Sequence, residues 1–157
     1  AISAASPVGM EIELPGPVGE RNVYALHPRG TILLRPATRN GLLHLIGAAL
    51  ATGNTMVIEA DDELNTLIHD MPTSVRARID TAPESISAAL VEGDDDAVLS
   101  ALQDMAERPG AIVSVHAATS AHMLSANAYC PYWLIEEVST SINTTAAGGN
   151  ASLIAMA

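Results

Sequence analysis

Two groups of acidic side chains are the residues of this sequence most capable of chemistry. Each group lies at the end of a predicted buried strand, at residues 55–60 and 88–93. Ligands of open α/β sheets bind beyond the carboxyl ends of the strands, so these carboxylates would face such a ligand. The favoured interpretation is that these acids cap the helix that follows, and the alternative is a divalent-cation site. In either case their negative charges would repel the pyrophosphate of a dinucleotide. The two groups hold eight of the 18 acidic residues: Glu59, Asp61, Asp62, Glu63, Glu92, Asp94, Asp95 and Asp96.

No other set of residues predicts a catalytic centre or a metal site. The sequence contains no glycine-rich phosphate loop, and no serine lies in the pattern of a hydrolase nucleophile. The five histidines lack the spacing of metal ligands. Cys130 has no Lys or Arg within about ten residues to stabilise a thiolate, so an inert, buried thiol is favoured. Glu136 and Glu137 are neighbours on a predicted strand and point to opposite faces, which argues against a shared acid–base site.

Charge and cysteine content exclude several classes of partner. Seven basic residues, all of them Arg, face 18 acidic ones, for a formal charge of −11. Such a surface repels nucleic acids and anionic membranes. A single Cys among 157 residues excludes an internal disulfide framework and predicts a reducing compartment, the cytoplasm. No apolar run approaches the ~20 residues that cross a bilayer, and the start without Met predicts a piece of a longer chain.

Alternating strands and helices would position the acidic groups. Runs of strand composition lie at residues 22–28, 31–35, 55–60, 75–79, 88–93 and 111–117. Segments with apolar residues at helical spacing, or with acids in a first turn, lie at residues 38–51, 61–71 and 94–107. This alternation predicts a doubly wound α/β fold with a mostly parallel sheet.

The last 28 residues differ from this pattern. Polar and apolar residues alternate from Val138 to Asn143, no helix follows to cover them, and the segment is a candidate for pairing with the edge of another sheet. If that edge belongs to a parent enzyme, the segment from Trp133 to Thr145 should be disordered in the isolated chain or pair with another copy. The predicted organisation is a linker at 1–19, a domain at 20–129 and an extended tail at 130–157.

Three runs of the sequence carry a resemblance to a known family: GPVGERNVYALHPRGTILLRPATRNGLLHLIGAALATGNTMVIEA, ALVEG and AYCPYWLIEEVSTSINTTAAGGNASL. They closely resemble the C-terminal region of long proline utilization A (PutA) proteins, bifunctional bacterial enzymes that oxidise proline to glutamate. The most specific part, Glu136 to Leu153, is similar to the family's C-terminal motif. The resemblance assigns these motif residues to an interface: Glu136, Glu137, Ser139, Ser141, Asn143, Thr144, Gly148, Gly149 and Asn150.

The resemblance implies a Rossmann-like domain of the aldehyde dehydrogenase superfamily without a catalytic role. Glu59 stands where a Lys normally holds the adenosine ribose, and Ala118 replaces a Gly of the turn over the pyrophosphate. The superfamily's nucleophilic Cys and general-base Glu have no counterparts, since Cys130 lies in a different context. The FAD and NAD of the parent would belong to its other domains, and this chain is expected to hold neither a cofactor nor a metal.

The resemblance also implies a structural role and a partner. The partner would be the rest of the parent chain, with its proline dehydrogenase and NAD-dependent Δ1-pyrroline-5-carboxylate dehydrogenase domains. This domain would cover the tunnel that carries pyrroline-5-carboxylate, or its hydrolysed semialdehyde, between the two active sites. The parent would be cytoplasmic, at most peripheral to the inner membrane. The alternatives are a residual NAD-binding module and an independent oligomerisation domain that self-associates through its tail.

Overall fold

Strands and helices alternate along most of the chain. The structure is a computed structural model that describes residues 6–125 and 128–144. Within these residues the strands are β1 (Glu11–Leu14), β2 (Glu20–Pro28), β3 (Thr31–Arg35), β4 (Thr55–Ile58), β5 (Ala88–Glu92), β6 (Ser114–Ala118) and β7 (Ile135–Asn143). The α-helices are α1 (Arg39–Ala51), α2 (Asp62–His69), α3 (Thr73–Arg76) and α4 (Asp95–Ala106), and 3₁₀ turns span His122–Leu124 and Pro131–Leu134.

A four-stranded parallel sheet forms the centre of the fold, in the order β4-β3-β5-β6. Ile32, Leu33 and Leu34 of β3 are consecutive and fully buried, as expected of a parallel strand that is covered on both faces. Every residue of β5 is buried as well. The expected α/β fold with a parallel sheet is therefore confirmed.

Helices cover both faces of this sheet. Leu42, Leu45 and Ile46 of α1 pack with Ile32 and Leu34 in the larger core cluster. On the opposite face, Met105 of α4 packs against Leu33 and Ala89. The alternation of side chains along β3 thus distributes its apolar residues between two helical layers.

Among the described residues, no helix combines the length and apolarity that a bilayer span requires.

Side-chain caps begin the helices at the carboxyl edge of the sheet. The side chains of Thr38, Asp61 and Asp94 each accept a hydrogen bond from the backbone N–H three residues later, at 2.9–3.1 Å. Each such cap stabilises its helix by about 0.5–2 kcal/mol. The capping interpretation is therefore confirmed for Asp61 and Asp94. The acids that follow them lie in the first turns of α2 and α4: Asp62, Glu63, Asp95 and Asp96.

A second, antiparallel sheet, here named the arm sheet, consists of β1, β2 and β7 in the order β1-β2-β7. Nine residues of β2 pair with nine of β7, from Glu20 opposite Asn143 to Pro28 opposite Ile135. β1 pairs with the other side of β2. β2 continues through Arg29 and Gly30 into β3, so the chain passes directly from the arm sheet to the parallel sheet.

Three expectations from the sequence differ from the structure. Residues 75–79 are not a strand: α3 begins after Pro72, and Ile79 alone bridges to Met56. Proline fixes a backbone angle that favours a following helical turn, and this local effect outweighs the short apolar pattern. The stretch interpreted as a linker contains β1. The expectation that the tail is disordered or pairs with another copy is wrong, because β7 pairs with β2 of its own chain.

Asn54 and Arg29 fix the junction between the two sheets. The fully buried Asn54 side chain donates a hydrogen bond to the Leu134 carbonyl at 2.8 Å and accepts one from the Gly30 N–H at 2.9 Å. The Arg29 backbone N–H donates to the same Leu134 carbonyl at 3.2 Å. Gly30 adopts a φ of 126°, which a side chain would strain. The point where β7 begins is thereby held against the turn where β3 begins.

We expect Asn54→Ala to lower the free energy of unfolding by about 2–3 kcal/mol, because it leaves a cavity at a buried position and removes the acceptor of the Gly30 N–H. The matched control is Asn40→Ala, at an exposed position in α1, with an expected change within about 0.5 kcal/mol. Urea unfolding of both variants measures the difference. Similar midpoints for the two variants would show that Asn54 does not support the junction.

Candidate functional site

The carboxylate of Glu92 is the central feature of the carboxyl edge. Glu92 ends β5, and only 3% of its surface is exposed. Its Oε2 accepts hydrogen bonds from the backbone N–H groups of Ala37 and Thr38, each at 2.7 Å. The Thr38 hydroxyl donates to Oε1, also at 2.7 Å. The carboxylate therefore accepts hydrogen bonds at the N-terminus of α1 in the way that a separate, bound anion would.

Glu92 is held in its charged form by these contacts. Burial raises the pKa of the carboxyl group, but the hydrogen bonds from Thr38 and Ala37 outweigh it and bring the pKa below its ordinary value. The helix N-terminus carries about half a positive charge, which further favours an anion at this position. An ionised carboxylate thus accepts hydrogen bonds from backbone N–H groups at the edge of the sheet where proteins of this fold class bind their ligands.

Gly41 makes this close approach possible. A Cβ atom added at Gly41 would lie 1.7 Å from Oε2 of Glu92, well inside van der Waals contact. Gly47, one turn and a half further along α1, has nothing within 4 Å of such a Cβ. Gly41 is therefore required by the carboxylate, whereas Gly47 is not required by any packing contact.

Glu59 forms ion pairs within the chain. Arg35 contacts Glu59 at 2.7 Å and also contacts Asp104 of α4 at 2.7 Å. Arg108 lies 3.5 Å from the other oxygen of Glu59. These four charges tie the ends of β3 and β4 to the C-terminal half of α4. Glu59, which stands where the family resemblance predicts a Lys, is thus surrounded by Arg side chains of its own chain.

Ala118, which stands where the family resemblance predicts a Gly, is the last residue of β6 and is buried. Its carbonyl accepts a hydrogen bond from the Gly93 N–H at 3.1 Å, so its neighbourhood is the strand end that carries Glu92. The helical turn that follows spans only His122–Leu124. The structure therefore places Glu92 and Ala118 side by side, while Glu59 follows the end of β4, at the opposite side of the sheet.

The described residues of the C-terminal motif lie on the arm sheet, away from that edge. By strand alternation, Glu137, Ser139, Ser141 and Asn143 share one face of β7, and Glu136 lies on the other. The backbone N–H of Thr144 donates to the Gly19 carbonyl at 2.8 Å. The predicted motif residues Gly148, Gly149 and Asn150 lie outside the described residues.

Sequence reasoning missed the roles of Thr38, Gly41 and Arg35. Glu92 belongs to the second predicted acidic group, but its partner Thr38 is 54 residues away, and no local sequence pattern indicates such a contact. In the part of the chain that the structure describes, no group of three or more His, Cys, Asp or Glu is arranged to hold a metal. Cys130 is a free thiol of intermediate exposure.

We expect Gly41→Ala to lower the free energy of unfolding by about 2–4 kcal/mol, because the new methyl group displaces the Glu92 carboxylate from its donors. Gly47→Ala, in the same helix, should raise it by about 0.5–1 kcal/mol through helix propensity alone. Thermal and urea unfolding measure both variants. If Gly41→Ala is as stable as Gly47→Ala, the carboxylate does not occupy this position.

Comparison with known proteins identifies homologous chains. No family model matches the sequence. "Bifunctional protein PutA" of Rhizobium meliloti is 47% identical over 98% of this chain, and that of Escherichia coli K12 is 36% identical over 93% of it. The protein of the same name from Salmonella typhimurium LT2 is 34% identical over 93%. This chain spans only 13%, 11% and 11% of the lengths of these relatives.

Solved structures of PutA proteins share the fold. A PutA structure with proline bound in remote sites matches 75% of this chain and 14% of its own, with a TM-score of 0.52 at 23% identity. A mutant PutA from Bradyrhizobium japonicum matches 71% of this chain and 14% of its own, with a TM-score of 0.51 at 25% identity. With this fold, and with up to 47% identity over nearly its whole length, the chain is homologous to a segment of the bifunctional PutA proteins and belongs to that family.

Proposed function

We propose that this chain is a non-catalytic domain of a bifunctional, cytoplasmic enzyme that oxidises proline to glutamate. There it helps to seal the path of pyrroline-5-carboxylate, or its semialdehyde, between a flavin-dependent and an NAD-dependent active site. FAD and NAD belong to the other domains of that enzyme. Two features support the proposal: an internal anion at the edge where a cofactor would bind, and an arm sheet with open edges.

The carboxylate of Glu92 is the observation that carries the non-catalytic part of the proposal. In folds of this class a dinucleotide places its pyrophosphate on backbone N–H groups at a helix N-terminus. Here Ala37 and Thr38 already donate to Glu92. A phosphate oxygen 4 Å from this carboxylate would be repelled by about 4 kcal/mol at an effective dielectric constant of 20. The acids around Glu92 add to that repulsion.

The pairing of Glu59 supports the same conclusion. Where the aldehyde dehydrogenase superfamily places a Lys that binds the adenosine ribose, this chain has an acid whose partners are Arg35 and Arg108. Binding of a ribose hydroxyl there would have to compete with an ion pair of 2.7 Å. Both the phosphate and the ribose contacts of a dinucleotide are therefore replaced by contacts within the chain.

The arm sheet supports the sealing role. Within the described residues, β1 and β7 each pair on one side only, so the sheet has two open edges. Ile12, Leu14 and Ile142 are 40–45% exposed on the arm. An open strand edge can accept a strand from another part of a protein, and such an addition excludes water from the surface that it covers. The rest of the parent enzyme is the partner that this arrangement suits.

The alternative of a residual NAD-binding module is tested by calorimetry. We expect no saturable binding of NAD to this chain at a Kd below about 100 μM, a threshold that corresponds to about −5.5 kcal/mol. The intact parent enzyme, with its dehydrogenase domain, is the positive control. Saturable binding to the chain below that threshold would replace the non-catalytic proposal with the NAD-binding one.

The sealing role is tested in the parent enzyme by deleting residues 128–157. We expect slower coupled formation of NADH from proline, with a lag, because the intermediate escapes to bulk water. Proline oxidation with an artificial electron acceptor should be unchanged and serves as the internal control. Coupled kinetics without a lag and at the original rate would contradict the proposal.

A point variant avoids the structural loss that a deletion brings. Ile142→Asp places a charge on an exposed position of β7, where Ile142 is 43% exposed, and Leu99→Asp makes the same change on α4, where Leu99 is 55% exposed. If the arm contacts the parent, Ile142→Asp should reproduce the lag and Leu99→Asp should not. The same kinetics for the two variants would show that the arm has no special part in sealing.

A further inference from the structure

A stacked pair of rings connects the parallel sheet to the segment that leads into β7. The imidazole of His116, in the middle of β6, stacks on the indole of Trp133 with ring centroids 4.3 Å apart and planes only 4° from parallel. Trp133 belongs to the 3₁₀ turn Pro131–Leu134, directly before β7. β6 is an edge strand of the parallel sheet, so this stack lies where the C-terminal segment meets that edge.

Neighbouring contacts hold Trp133 in this position. The Arg29 side chain donates hydrogen bonds to the Trp133 carbonyl at 3.0 Å and to the Ser114 hydroxyl at 3.4 Å. Tyr129 meets the indole edge-on at a centroid distance of 6.4 Å, and its hydroxyl donates to the Val91 carbonyl at 2.7 Å. The turn before β7 is therefore attached to β5, β6 and the β2–β3 turn through a small set of polar and ring contacts.

The surroundings of His116 favour its neutral form. Its Nε2 is buried and has no hydrogen-bond partner among the described residues. Burial lowers the pKa of His116, and the positive charge of Arg29 lowers it further. Leu90, opposite on β5, brings no charge. Burial also raises the pKa of Tyr129, which keeps that phenol uncharged. Among the described residues, Arg29 is the charged group that acts on the imidazole.

We propose that the stack of His116 on Trp133 is an acid-sensitive latch, closed while the imidazole is neutral and opened by its protonation. Opening releases the turn Pro131–Leu134 and the start of β7 from the edge of β6. A protonated ring in the closed latch would hold a buried N–H without an acceptor and a positive charge beside Arg29. Exposure to water removes both penalties. The latch concerns contacts within this chain and does not depend on which surface the arm meets.

The direction of the pH dependence follows from linkage. In the open latch His116 titrates near its ordinary value of 6.5, and in the closed latch it titrates lower. Above pH 6.5 both states are neutral, and the full stability of the closed latch is present. As the pH falls below 6.5 the open state binds more protons, so the ratio of open to closed rises by up to about tenfold per pH unit. This rise ends once the closed-state pKa is passed.

Hydrogen exchange of the whole chain at pH 7.5 and pH 5.5 tests the latch. We expect the protection factors of amides at the start of β7 and at Arg29 to fall about threefold to tenfold at the lower pH. Amides of α1 should keep their protection. Trp133 is the only tryptophan of the chain, so a red shift of its fluorescence over the same range reports the exposure of the ring directly.

Two variants decide the result. His116→Phe keeps a ring that can stack but cannot titrate, and its protection factors should change by less than about twofold. His122→Gln removes an exposed histidine close in sequence and should behave like the original chain. If His116→Phe does not fold, His116→Tyr takes its place. The proposal is overturned if the original chain shows no fall, if the fall persists without His116, or if α1 loses protection to the same extent.

Discussion

The contact between the Glu92 carboxylate and the N-terminus of α1 determines how the carboxyl edge of the sheet is organised. The loop after β3 leaves backbone N–H groups at Ala37 and Thr38 that need acceptors, and β5 ends at a point where its last side chain can supply them. The approach is close enough that α1 must carry a glycine at position 41. One charge thus joins β3, α1 and β5 and satisfies donors that a ligand would otherwise use.

At the opposite edge of the sheet the chain uses hydrogen bonds to backbone carbonyls instead of a buried carboxylate. Asn54 and Arg29 converge on the Leu134 carbonyl, and Gly30 allows the sharp turn from the arm sheet into β3. At the carboxyl edge a buried carboxylate accepts hydrogen bonds from the backbone at the start of α1, whereas the amino edge is the junction that joins the arm sheet to the parallel sheet. Contacts at the carboxyl edge therefore hold the elements of the parallel sheet together, and contacts at the amino edge orient the arm sheet.

The elements that follow from local pattern were predicted well. The boundaries of β3 agree with the sequence prediction, and those of α1, β5 and α4 agree within about one residue, because apolar spacing and turn residues lie within the element itself. Contacts distant in sequence were not predictable. β7 pairs with β2, although more than a hundred residues separate the two strands in the sequence. β1 consists of the four residues EIEL with Pro and Gly on both sides, a pattern that does not identify a strand. The same limit hid the contact of Glu92 with Thr38, because the two residues are 54 positions apart in the sequence.

The two open edges of the arm sheet are not equivalent. β1 carries Glu11 and Glu13, with Arg21 paired to Glu13 at 3.1 Å, and charged side chains of this kind protect an edge from other strands. β7 has two acids at its start, but residues 138–143 contain no charge and no proline. An edge of this composition lacks the features that usually block strand addition. The asymmetry therefore favours β7, the strand at the start of the predicted motif, over β1 as the edge available for strand addition.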